Sequence, residues 1–130
     1  MSIDTDLLGL TSFREGITTI IRDGLDDSIS VSDAIPDSIT PPAVYVAWAN
    51  PWMVGQTWCD YTTLLQLIVV AQRIEPGGQY GIIESLVGEI LAILRKNRIA
   101  LRDVNSPYPI SLGGVVYLAA SINLITEMGD

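Results

Sequence analysis

The chain contains no histidine. That absence excludes Ser-His-Asp and Cys-His nucleophilic catalysis, histidine metal ligands and the usual pH switch near neutrality. Its single cysteine, Cys59, excludes an internal disulfide and a cysteine-based zinc cluster. Beside Trp58 in an expected strand, Cys59 reads as a buried, inert thiol. Bases are scarce, seven Lys and Arg against fifteen Asp and Glu, for a net charge of −8. Such a chain does not grip DNA or an anionic membrane by bulk charge. Long apolar runs are missing too. Leu64–Ala71 is broken by Gln66, and Leu112–Ile125 by Ser121 and Asn123, both short of the ~20 residues of a spanning helix. The Asp-rich start lacks the basic region of a secretory signal. A soluble intracellular product with no membrane association is expected.

What is present is apolar and unevenly charged. The chain has 130 residues, 48% of them hydrophobic, with a mean hydropathy of +0.37. One domain over 1–130 is expected, long enough to bury its own core. That hydropathy requires either near-complete burial of apolar surface or sharing with partners, and sharing is the expectation. Residues 1–40 carry eight acids against Arg14 and Arg22, whereas the other 90 carry seven acids and five bases. The acidic front reads as a solvated face.

Leu7, Leu10, Phe13, Ile17, Ile20, Ile21 and Leu25 recur at helical spacing, predicting a helix over about 5–24 that stops at Gly24. Its start is either a capping box from Ser12 to Glu15 or a point near Asp4. Ser28–Ser32 alternates as a half-buried strand. Pro36, Pro41 and Pro42 punctuate a loop before the short strand Ala43–Trp48. Residues 49–56 read as a loop broken by Pro51 and Gly55. Thr57–Arg73 is a long strand, one-sided in its first half and covered on both faces in its second. Glu75-Pro76-Gly77-Gly78 breaks the chain. A helix over about 79–96 follows, with Ile82, Ile83, Leu86, Val87, Ile90, Leu91, Ile93 and Leu94 on one face and Arg95 and Lys96 at its end. Residues 98–104 form a short strand, 105–109 a turn, and 114–126 a last strand. The order α-β-β-β-α-β-β predicts an α+β two-layer sandwich, a mostly antiparallel sheet with both helices on one face. The opposite face is too apolar for water, so another subunit is expected to cover part of it.

No catalytic frame stands out. Gly77-Gly78 and Gly113-Gly114 lie in no phosphate-cradling motif and read as turns. Asp23, Asp26 and Asp27 match no EF-hand spacing and read as an acidic helix exit. Glu84 and Glu89 do not project together on a helix, so they make no acid–base pair. No enzyme activity, metal or cofactor is expected. Trp48, Trp52 and Trp58 cluster with Met53 around Pro51 and Gly55. Trp48 and Trp58 are expected in strand core, and Trp52 and Met53 as a projecting contact pair.

With these elements placed, the chain resembles the tail terminator (tail completion, head–tail joining) proteins of long-tailed phages. The likeness is carried by the N-terminal helix, the acidic loop ending in Pro41-Pro42-Ala43-Val44-Tyr45-Val46, and the strand from Asp60 to Arg73. It continues through the Pro-Gly turn, the helix Tyr80–Lys96 and the strand pair closing on Tyr117–Ile125. The resemblance implies a virion protein of the tail and neck, assembled in the host cytoplasm. It implies a homohexameric ring that ends tail tube polymerisation and joins the tail to the head. Its partners would be the tube protein and head–tail connector proteins. Genomic DNA would pass through the lumen without specific binding, helped by an acidic lining that repels phosphates. Ala43–Val46 carries over as sheet scaffold and 49–56 as a docking loop. Trp52, Met53, Val44, Val46 and Tyr117 are the residues expected at partner or subunit contacts. The Trp-rich 48–58 segment departs from the family's pattern. The rival readings are another neck or head-completion adaptor, and a monomeric α+β ligand-binding domain or small enzyme with a cleft near Trp52.

Overall fold

The computed structural model describes residues 10–33, 40–55, 60–74 and 80–129. Its elements are α1 (Leu10–Gly24), β1 (Ser30–Ser32), β2 (Ala43–Gly55), β3 (Asp60–Arg73), α2 (Gly81–Lys96), β4 (Leu101–Val104), β5 (Tyr108–Leu112) and β6 (Val115–Gly129). The sheet runs β1-β2-β3-β6-β4, and β5 also pairs with β6. Every pairing is antiparallel except β1 with β2. An α+β sandwich with a mostly antiparallel sheet is therefore the observed class, with one strand more than the expected order.

Both helices lie on one sheet face. Ile17, Ile21 and Leu25 of the α1 stripe and Leu86, Ile90 and Leu94 of α2 meet Val44 and Val46 of β2, Leu65, Leu67 and Val69 of β3, and Ile122 and Leu124 of β6. These strand positions share one parity, as the pairs Leu67↔Ile122 and Leu65↔Leu124 require. Burying each such side chain contributes about 1.5–3 kcal/mol, so the helices are held chiefly by this layer.

The end of α2 is built for a sharp stop. Arg98 donates its N–H to the Arg95 carbonyl (3.2 Å) and Ile99 to the Leu94 carbonyl (2.9 Å). Arg98 takes the left-handed conformation at φ 56°, where glycine is the usual occupant. Ile99 then packs against the helix-side core, completing a Schellman turn.

Several boundaries differ from expectation. Ser12 lies inside α1, so it is no N-cap; a start near Asp4 lies outside the described residues. Of the expected 49–56 loop, residues 49–55 continue β2, interrupted by a register shift between Trp48 and Met53, and residue 56 lies outside the described residues. That irregularity accommodates Pro51, whose missing N–H would break a regular ladder. The first half of β3 is not one-sided, because Thr62, Thr63, Leu64 and Leu65 are all buried. Residues 105–109 do not all turn: Tyr108 and Pro109 already belong to β5, which returns through Gly113 and Gly114 (φ 58° and 80°) into β6. Two consecutive positive φ angles make the two-residue hairpin turn whose twist suits the strands. Pro36, Trp58, Cys59 and the Glu75–Gly78 breaker lie outside the described residues.

The sheet face opposite the helices corrects a further expectation. Tyr45, Ile68, Val70, Tyr117 and Ala119 are buried there, packed with Tyr108, Ile110 and Leu112 of β5 and Val115 of β6. This part of the face is covered by the chain's own last hairpin, so it needs no second subunit.

Candidate interaction surfaces

Val44 and Val46 are each 1% exposed beneath the helices, and Tyr117 is 5% exposed under β5. None of the three presents a side chain to a partner, which removes them as contact residues. Their parity explains it: strand alternation turns the two valines to the helix side. Val44 and Val46 keep the scaffold part of their expected role.

Trp52 and Met53 lie elsewhere. β1 pairs with β2 only at residues 43–45, so beyond Tyr45 the outer side of β2 has no strand partner among the described residues. On this stretch Trp52 is 44% exposed and Val54 39%, with Met53 half-buried. Trp52 does not stand alone. Its ring stacks on Trp48, and Trp48 in turn packs on the helix-side core. A half-exposed aromatic anchored from below in this way loses little freedom on contact with a partner.

The opposite end of the strand order carries the second surface. All four residues of β4 are exposed, and among the described residues β4 pairs only with β6. Asn123 donates its side-chain amide to the Asp103 carboxylate, tying β4 to β6. Between α2 and the β4–β5 connection runs an open groove of about 440 Å³, lined mainly by Ile83, Val87, Leu91, Val104, Pro107 and Ala120. Glu84, Asn105 and Ser106 are its polar members. Further along α2 a second hollow of about 350 Å³ is lined by Leu91, Leu94, Arg95, Ile99 and Leu101. Trp52 lines none of the concavities seen among the described residues.

Arg95 and Lys96 were expected as helix-end bases, but the cluster they form with the next two bases is a further signal legible in the sequence. Arg95, Lys96, Arg98 and Arg102 are four of the chain's seven bases and fall within eight residues. All four are exposed, and the one ion pair seen among the described residues is Arg102 with Asp103 at 3.7 Å. At the far side Asp26 accepts the Ser28 N–H at 2.9 Å, which holds its carboxyl below the usual carboxylate range. Among the described residues no group of three or more His, Cys, Asp and Glu is placed to hold a metal ion, and no helix is long and apolar enough to cross a membrane. No protein-family model and no curated protein matches the chain.

Proposed function

We propose that the chain is a structural assembly protein of the tail-terminator kind. Its copies close into a ring, most simply a hexamer, that ends tail tube polymerisation and joins the tail to the head in the virion neck. The supporting observation is that exposed apolar side chains stand at two remote edges of one sheet. Trp52 and Val54 occupy the outer side of β2, and Leu101 and Val104 occupy β4 at the other end of the strand order. A head-to-tail ring needs two different surfaces on each copy, whereas a two-fold dimer needs one that is self-complementary. The family resemblance supplies the identity of the ring, and the two-edge arrangement is compatible with it. The test is to add the purified protein to polymerising tail tube protein from its own phage. Arrest at short tubes supports the reading; unaffected polymerisation by a protein that does form rings points instead to another neck adaptor.

The groove beside α2 favours a second reading. About 440 Å³ lies within the range of small-molecule sites, which are apolar with a few polar groups. A chain that stays monomeric and binds an apolar fluorescent probe there would fit the ligand-binding alternative.

A further inference from the structure

The two edges of the sheet differ in charge as well as position. On the β1 side, Asp26 and Asp27 precede β1, Asp33 follows it and Glu15 lies on α1, against Arg14 and Arg22, whereas Asp23 lines a hollow with Lys96 of α2. Both arginines are engaged locally, Arg22 donating to the Val31 carbonyl (3.0 Å) and Arg14 to the Asp33 carbonyl (3.5 Å). On the β4 side, Arg95, Lys96, Arg98 and Arg102 are exposed and close in sequence to the exposed Leu101, with Asp103, paired with Arg102, the single acid between residues 95 and 104.

Neither edge is open to simple backbone pairing. Ser30 donates its N–H to the Pro42 carbonyl, so alternation turns the Val31 carbonyl outward, where Arg22 takes it. The β4 edge is interrupted by a register shift between Leu101 and Asp103. Charged side chains and irregularities of this kind stop strands from adding without limit. They leave side-chain contact as the way these edges meet another surface.

We infer that the basic α2–β4 edge of one copy docks on the acidic β1 edge of the next, and that this charge-complementary contact is the ring's repeating interface. The inference rests on the assembly reading above and names its partner surface, a second copy of the same chain. Opposite charges at opposite ends of the strand order favour head-to-tail contact, while like edges repel. Arg98 adds an independent reason. It holds a left-handed position where glycine would be unstrained, so its side chain is retained at a conformational cost. The net charge of −8 disfavours nucleic acid as the occupant of the basic edge.

The test compares sedimentation of the full chain with three variants in low and high salt. Wild type should sediment as a closed multimer that dissociates or weakens with salt. Arg95→Glu with Arg98→Glu should shift it at least tenfold toward monomer. Adding Asp27→Lys and Asp33→Lys to that pair should restore the multimer. Arg98→Gly separates docking from folding, since it should weaken assembly at low salt while raising the melting temperature of the salt-dissociated chain. A salt-insensitive multimer untouched by the charge reversals would overturn this interface and leave the ring reading standing. A wild-type monomer would overturn both. Loss of retention on double-stranded DNA in the Arg95→Glu, Arg98→Glu variant, with its mass unchanged, would make the patch a phosphate-binding surface and also overturn the proposal.

Discussion

Trp52 stacks on Trp48 with ring centroids 5.3 Å apart and planes 11° from parallel. The pair joins an exposed edge residue to the helix-side core, so its two members should respond differently to truncation. Trp52→Ala loses the stacking and should cost the free chain about 0.5–1.5 kcal/mol. Trp48→Ala also empties packed volume and should cost about 3 kcal/mol or more. Urea unfolding followed by circular dichroism measures both; equal losses would show that Trp48 is not an anchor.

Arg98→Gly should stabilise the fold by about 1 kcal/mol, because only the left-handed backbone is relieved. Its φ of 56° and the two Schellman hydrogen bonds set this expectation. Thermal unfolding in high salt, where assembly is weakened, checks it, and a lower melting temperature there would contradict it.

Gly24 shows how closely the helices approach. A Cβ at this position would lie 2.7 Å from Ile93 Cδ1 and 2.8 Å from its Cγ1. Gly24→Ala should therefore cost about 1–3 kcal/mol through overpacking. Ile93→Ala removes both atoms, so in its presence Gly24→Ala should cost markedly less. A double-mutant cycle reads the coupling, and additive losses would show that the close approach is not felt.

Helix spacing made α1 and α2 legible from the sequence, and the alternating runs made most of β3 and β6 legible. What escaped were strands that contain proline. Pro51 and Pro109 look like breakers in a linear reading, yet one sits at the β2 irregularity and the other on edge strand β5. Both are places where a missing N–H is tolerated. Missing β5 carried a consequence, because without it the sheet face around Tyr45 and Ile68 looked bare. The apolar residues Val44, Val46 and Tyr117 were legible as strand residues, but composition does not say which layer covers which parity. Trp52 was legible as surface although the loop expected there is part of β2. The basic edge was visible as four bases within 95–102, but its meaning depends on β4 standing at the end of the strand order.

The cover supplied by β5 has its own test. The hydroxyls of Tyr108 and Ser121 are 2.6 Å apart, and Ser121 is buried. Tyr108→Phe should leave the Ser121 hydroxyl short of a partner and cost about 1–3 kcal/mol. Hydrogen exchange of the β5 amides should speed up accordingly, and unchanged exchange would count against this link.

Burial, and then the nearby Tyr108, hold the Tyr45 phenol above its ordinary value near 10. A raised folded-state value means the folded chain holds this proton more tightly than the unfolded chain. The associated stability is complete below about pH 10 and is lost as pH rises toward the folded value. Tyr45→Phe should flatten the alkaline limb of a stability-versus-pH profile, measured by urea unfolding between pH 8 and 11, roughly spanning the ordinary tyrosine value. An unchanged limb would place the alkaline sensitivity elsewhere.

Sedimentation of the wild-type chain across a range of concentrations tests the central claim most directly. The account predicts one discrete species at several times the 14.1 kDa of a single chain, with its assembly weakened by salt. A stable 14.1 kDa monomer at every concentration and ionic strength would contradict it.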